Sequence, residues 1–220
     1  MFNKKYSIFF AGIIILAAVL APILYTGYSS IQRADSEYAD QDYTAAFQHY
    51  QQALRLLPWR TDLLEKTGVA AYADGQYSDA IVLLSRAPKL SEQGWVAFGN
   101  SHVNANDLSS ALRAYKNGLL AYDSPSLYAG LAFIYRENKE WPAERDALQN
   151  QLRLDPGNAY AHYRLGLLLT VLAPEQAQSE LTLASSLDPE TDSAVQTLTA
   201  ALNLSATQPD ASGQMLTAAE

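Results

Sequence analysis

The chain has 220 residues, of which 49% are hydrophobic and 17% are charged, a composition that can build a folded core. Its 23 Asp and Glu outnumber its 15 Lys and Arg, and the formal net charge is −8. A surface of this sign repels nucleic acid, and the lack of Cys in the sequence excludes disulfides, thiolate metal sites and a cysteine nucleophile. We therefore expect no nucleic-acid partner.

The first predicted element is an apolar helix at the N-terminus. Lys4 and Lys5 precede an almost unbroken apolar run from Tyr6 to Tyr25. About 17 to 20 such residues, rising 1.5 Å each, match a hydrocarbon layer of roughly 30 Å. The sequence predicts a transmembrane helix over residues 6–27. The two lysines place residues 1–5 in the cytoplasm and the rest of the chain outside it, because positive charges favour the cytoplasmic side.

A cleaved secretory signal peptide is the alternative interpretation of this segment. Signal peptides usually have an apolar region of about 7 to 15 residues followed by a small-x-small cleavage site. The run here is longer, and its best site, Ala18 to Ala21, is followed by Pro22, which signal peptidase tolerates poorly. The sequence favours an uncleaved, single-pass anchor in a cell membrane; the alternative is a secreted or periplasmic protein.

A pattern of small and bulky residues then recurs from Tyr28 to Glu190. Its period of roughly 34 residues is typical of stacked helix pairs, in which each pair buries its apolar face against the next. Small residues near the eighth and twentieth places of each copy should let the two helices of a pair approach closely. In three copies the two small residues and the bulky residue that follows them are Gly68, Ala80 and Leu84; Gly99, Ala111 and Tyr115; and Gly166, Ala177 and Leu181.

These copies resemble the tetratricopeptide repeat (TPR) family, whose helix pairs carry the same small and bulky positions and often close on proline. The resemblance implies an all-α fold: a single N-terminal transmembrane helix, then a right-handed α-solenoid of about five helix pairs with a C-terminal capping helix. The expected copies are 28–60, 61–91, 92–124, 125–158 and 159–190, followed by the capping helix 191–206 and a disordered tail 207–220. Two residues depart from the pattern: Glu144 occupies a position where a small residue is typical, and Pro174 lies in the turn of the fifth copy.

The resemblance also implies a binding groove, because the first helix of each TPR pair lines the concave face. Matching positions in the second copy are Asp62, Glu65, Val69 and Tyr72, and in the third Val96, Asn100, Val103 and Asn104. In the fourth they are Ala129, Phe133, Arg136 and Glu137, and in the fifth Tyr160, Tyr163, Leu167 and Val171. Aromatic side chains in a groove suit peptide or helix recognition, although Phe133, Tyr160 and Tyr163 could instead pack against neighbouring helices.

No arrangement of residues indicates chemistry. His49, His102 and His162 fall at unrelated places in the repeat, and the sequence has no HExxH motif or Gly-rich phosphate loop. We expect no enzyme activity, cofactor, metal or small-molecule substrate. The predicted function is a membrane-anchored scaffold or adaptor, of bacterial type, that binds other proteins as an assembly or accessory subunit of a membrane or cell-envelope complex. The alternative is a secreted or periplasmic module that binds a peptide or glycan.

Overall fold

A computed structural model describes residues 4–207 of the chain. Residues 1–3 of the predicted cytoplasmic N-terminus and residues 208–220 of the predicted tail lie outside this range. The described residues form eleven α-helices and a short 3₁₀ turn, Pro189–Thr191, with no β-strand. The first six helices are α1 Lys4–Ala39, α2 Tyr43–Leu56, α3 Asp62–Ala73, α4 Tyr77–Arg86, α5 Glu92–Asn104 and α6 Leu108–Leu119. The remaining five are α7 Pro125–Glu137, α8 Trp141–Leu154, α9 Ala159–Leu172, α10 Pro174–Leu187 and α11 Asp192–Thr207.

The chain divides into two compact units, the first ending at Asp107 and the second beginning at Leu108. In the first unit α1 packs on α2, α2 on α3, and both α3 and α4 on α5. In the second unit each helix from α6 to α11 packs on the next along the chain. Consecutive antiparallel packing of this kind is the arrangement that the repeat pattern predicts.

The turns inside the first four helix pairs share one backbone conformation. Each contains a residue with positive φ, between 58° and 79°: Gln41, Gly75, Asn106 and Lys139. The following residue donates its N–H to the carbonyl five positions earlier at 2.8–2.9 Å, which closes the preceding helix in the manner of a Schellman motif. The fifth pair differs because Pro174 is the first residue of α10, where its fixed φ and missing N–H are tolerated.

Close approach of paired helices depends on glycine, as the sequence predicted. A Cβ atom built on Gly68 would lie 2.6 Å from Cγ of Leu84, and one on Gly166 would lie 2.7 Å from Cδ2 of Leu181. These distances are well inside van der Waals contact, so each glycine lets a leucine of the paired helix seat against its backbone. The prediction for these two small positions is confirmed.

Helix α1 has two different parts. Its 36 residues correspond to about 54 Å of helix, far more than a first repeat helix needs. Residues 11–23 are exposed throughout, whereas Leu24, Gly27, Ile31 and Ala34 are partly or fully buried against the first unit. In the described part of the chain, one helix, Ala11–Ala39, has the length and composition to cross a membrane, because it contains an 18-residue stretch with mean hydropathy 2.0. A signal sequence would share both properties. The apolar part of α1 thus continues without a break into the repeat array.

Candidate protein-binding surfaces

In the second unit, three of the predicted groove residues form a cluster between α7 and α9. Nη1 of Arg136 donates to the Tyr160 hydroxyl at 2.9 Å, and the guanidinium carbon lies 5.1 Å from the ring centroid of Phe133. Glu137 approaches the same guanidinium with its Oε1 atom 3.4 Å from Nε. Tyr160 is 59% exposed. The cluster therefore presents a fixed cation and an aromatic surface to solvent, and we name Phe133, Arg136 and Tyr160 the aromatic–arginine cluster.

The charge of Arg136 is secured by its neighbours. Partial burial disfavours the charged guanidinium, but the hydrogen bond with Tyr160 and the negative charge of Glu137 outweigh it, so the pKa of Arg136 is raised. An arginine held by an aromatic face and a hydroxyl has lost part of its side-chain entropy before any partner arrives. Such preorganisation lowers the cost of binding.

Two other candidates of this unit belong to its interior. Leu167 is only 1% exposed and packs with Leu181, Val195 and Leu198. Tyr163 is partly buried against the same residues. Leu167 therefore contributes to the core between α9, α10 and α11 and does not present a surface to a partner.

In the first unit, most candidates are engaged by their own chain. The Glu65 carboxylate accepts from the backbone N–H of Ser91 at 2.7 Å and from its hydroxyl, so it holds the start of α5. The Tyr72 hydroxyl accepts from Nδ2 of Asn100 at 2.9 Å, and the side chain of Asn104 donates to the Asn100 carbonyl. The contacts of Glu65 and Tyr72 tie α3 to α5 and stabilise the stacking of repeats, whereas the Asn104 contact lies within α5.

Asp62 and Val103 complete the candidates of this unit. Arg60 donates to both carboxylate oxygens of Asp62, at 2.8 and 2.7 Å, and this bidentate contact lowers the pKa of Asp62. Val103 is half-buried near the end of α5. Neither residue lines the cavity of about 280 Å³ that this unit contains.

A cavity of about 280 Å³ in the first unit combines two predicted groove residues, Glu65 and Val69, with residues that the repeat pattern did not assign to the groove. Lys66 donates to Asp35 at 2.7 Å, and Gln93 donates to the Tyr38 hydroxyl at 2.9 Å. Burial and a hydrogen bond to Asp35 raise the pKa of Tyr50, which keeps its hydroxyl neutral. The cavity is lined by Tyr38, Tyr50, Glu65, Lys66, Val69, Ser91 and Gln93. The pattern could not find this set because it includes positions from the ends of helices and from α2.

The three histidines each have local partners. His49 lies 2.7 Å from the Glu37 carboxylate, and His102 lies edge-on to Phe98 with Asp107 at 3.5 Å. Buried His162 contacts Glu180 through Nδ1 at 2.7 Å and the Pro156 carbonyl through Nε2 at 3.0 Å. Within the described range, no group of three or more His, Cys, Asp or Glu side chains could hold a metal ion.

The departure at Glu144 is explained by a buried ion pair. Glu144, at 1% exposure, accepts from Nη2 of Arg164 at 2.7 Å, and Arg164 is itself buried. The side chains of Glu144 on α8 and Arg164 on α9 thus neutralise each other's charge in place of solvent. The sequence showed Glu144 as an exception to the small-residue rule, but the repeat pattern assigned no partner to it.

Comparison with solved structures identifies the fold. The structure of MamA from Desulfovibrio magneticus RS-1, described as MamA 41-end, superimposes with a TM-score of 0.66 at 16% identity, over 76% of this chain and 97% of that one. YrrB, described as a TPR protein with an unusual peptide-binding site, gives 0.63 at 16% identity over 77% and 90% of the two chains. A chain of the APC/C hetero-tetramer Cut9-Hcn1 gives 0.59 at 22% identity, over 74% of this chain and 34% of that one. The protein thus has the all-α fold of a TPR solenoid, which confirms the predicted fold class.

At the level of sequence, no protein-family model matches the chain, and no protein of curated function matches it. The structural likenesses lie below 25% identity and define the fold alone.

Proposed function

We propose that the protein is a membrane-anchored TPR scaffold that holds a partner protein at the membrane surface, as an assembly or accessory subunit of a membrane or cell-envelope complex. One observation carries the proposal: the exposed apolar part of α1 runs without a break into the helix that packs on α2. A helix that is apolar over about 20 residues, and whose residues 11–23 are exposed, has no stable place in water, whereas a bilayer satisfies it. The continuous helix then leaves no flexible linker between bilayer and array.

The proposed topology has the N-terminus in the cytoplasm and the repeats outside it. Lys4 and Lys5 precede the apolar segment, and the first acidic residue of the chain is Asp35. This distribution follows the positive-inside rule. Protease added to intact cells or right-side-out vesicles should digest the repeats, and digestion only after membrane disruption would contradict the topology.

The proposed contact with the partner is the aromatic–arginine cluster. Arg136 offers a cation held in place by Tyr160 and Phe133, and the exposed ring of Tyr160 offers apolar area at low entropic cost. This chemistry suits a peptide or helix of the partner that carries a carboxylate next to an apolar side chain. The peptide-binding site reported for YrrB supports a role of this kind for the fold.

Site-specific photocrosslinking tests this contact. A photoreactive amino acid replaces Tyr160 in the full-length chain, solubilised from its native membrane in mild detergent, and the matched control places it at exposed Gln149 on α8. We expect a discrete membrane or secreted partner to be crosslinked from position 160 and not from position 149, and lost when Arg136→Ala is added. Equal crosslinking from both positions would reject the cluster as the contact, and recovery of soluble cytoplasmic proteins alone would reject the membrane scaffold.

A further inference from the structure

Trp59 is a large aromatic side chain left in solvent by the fold. It lies in the turn between α2 and α3, and 58% of its surface is exposed. The other two tryptophans, Trp95 and Trp141, are partly buried within their units. Exposure of an indole ring is unfavourable in water, but the ring is well suited to the boundary between headgroups and hydrocarbon, where its N–H can bond and its body is apolar.

The turn that carries Trp59 is fixed beside one level of α1. Leu57, two residues before it, packs on the backbone of Gly27, where an added Cβ would lie 2.7 Å from the Leu57 Cγ atom. Arg60, the next residue along, places its guanidinium carbon 5.7 Å from the ring centroid of Tyr28. Contacts on both sides of Trp59 therefore hold the turn at the height of Gly27 and Tyr28.

This height is where the apolar part of α1 ends. Exposed aliphatic residues extend from Ile13 to Ile23, followed by Tyr25 at 77% exposure and the exposed Tyr28. Tyrosine and tryptophan concentrate at the two membrane–water interfaces of spanning proteins. The local charge is compatible with headgroups, because Arg60 and Asp62 form a bidentate pair beside the turn.

We propose that Trp59 enters the interfacial layer of the bilayer together with Tyr25 and Tyr28, forming a second membrane contact of the first unit. The inference rests on the proposed anchor, since without a bilayer around α1 the three rings have no common lipid surface. The occupant is the phospholipid headgroup boundary. A single helix can rotate and tilt, whereas a helix plus a tryptophan on the adjoining turn fixes which side of the first unit faces the membrane.

Tryptophan fluorescence of the full-length chain in liposomes tests the contact. A variant with Trp95→Phe and Trp141→Phe keeps only Trp59, and the control variant with Trp59→Phe and Trp95→Phe keeps only Trp141. Lipids brominated near the glycerol, lipids brominated at the chain ends and aqueous acrylamide serve as quenchers at three depths. We expect Trp59 to be quenched by the shallow bromines at least about twofold more than by the deep ones, as befits an interfacial residue, and Trp141 by neither.

Flotation of the same liposomes separates the two proposals. If the chain does not float with lipid, the anchor itself fails. If it floats and Trp59 is quenched by acrylamide but not by brominated lipid, the inference is overturned while the anchor stands. Protection from both quenchers would mean that protein covers Trp59, and equal lipid quenching of Trp59 and Trp141 would mean that the repeats lie flat on the bilayer; either result overturns the specific contact.

Discussion

The buried pair of Glu144 and Arg164 predicts that restoring the typical small residue of the repeat lowers the free energy of unfolding instead of raising it. Glu144→Ala restores the small residue typical of the repeat, yet it removes the carboxylate that contacts the buried guanidinium of Arg164. Removing one member of a buried ion pair costs about 3–5 kcal/mol of unfolding free energy, because the remaining charge stays desolvated. Arg164→Leu should cost a similar amount by stranding Glu144.

The double variant should recover most of this loss. The pair is joined by one hydrogen bond, and among the described residues Oε2 of Glu144 and Nε of Arg164 have no hydrogen-bond partner. Such a pair offsets its desolvation poorly, so replacing both members by apolar side chains is expected to be neutral or to stabilise by about 1–4 kcal/mol. The two single losses are therefore strongly non-additive.

Urea denaturation in detergent measures the cycle. Fluorescence of Trp141 reports on α8, three residues from Glu144, in a background where the other two tryptophans are replaced by Phe. We expect both single variants to unfold at much lower urea than the parent and the double variant at or above it. Single losses below about 1 kcal/mol, or a double variant as unstable as the sum, would refute the argument from buried charge.

Three further predictions concern packing, turns and alkaline pH. Gly166→Ala should lower the free energy of unfolding by about 1–3 kcal/mol, because the added Cβ meets Leu181. The control Gly157→Ala should change the urea midpoint little, because the nearest atom to its Cβ lies 3.8 Å away. Equal effects of the two substitutions would contradict close packing at Gly166. Lys139→Gly should raise the free energy of unfolding by roughly 1 kcal/mol or less, because φ there is 60°, and a lowered urea midpoint would show that the lysine side chain outweighs the backbone strain. Burial and a hydrogen bond raise the pKa of Tyr50, so the stability that its neutral hydroxyl contributes is present below the ordinary tyrosine value of about 10 and lost above it. The parent should therefore lose more stability between pH 9 and 11 than Tyr50→Phe, and parallel losses would contradict the assignment.

Much of the fold could be predicted because helix packing imposes a strong pattern on sequence. Gly68 and Gly166 had to be small for the paired leucines to seat, and a period of about 34 residues left few alternatives to stacked helix pairs. The recurring left-handed turn was less visible, because only Gly75 among its four residues is a glycine. Gln41, Asn106 and Lys139 adopt the same conformation without that signal.

The surfaces were harder to predict for a physical reason. The position of a residue in the repeat specifies the helix face that carries its side chain. It does not specify whether that side chain is buried or hydrogen-bonded within the protein or remains available to a partner. Glu65 proves to hold the start of α5, and Leu167 lies in the core, whereas Arg136 and Tyr160 meet across two helices. Such pairings depend on side-chain length and on the neighbouring repeat, and neither is contained in the period.

We propose that α1 is a single helix serving both as membrane anchor and as the start of the array. Its most direct test is the intact mass of the mature chain recovered from membranes washed with alkaline carbonate. We expect the chain to stay in the membrane pellet with the apolar segment, residues 6–27, retained. A chain released into the wash, with its N-terminus at or after residue 22, would contradict the anchor and support the secreted or periplasmic alternative.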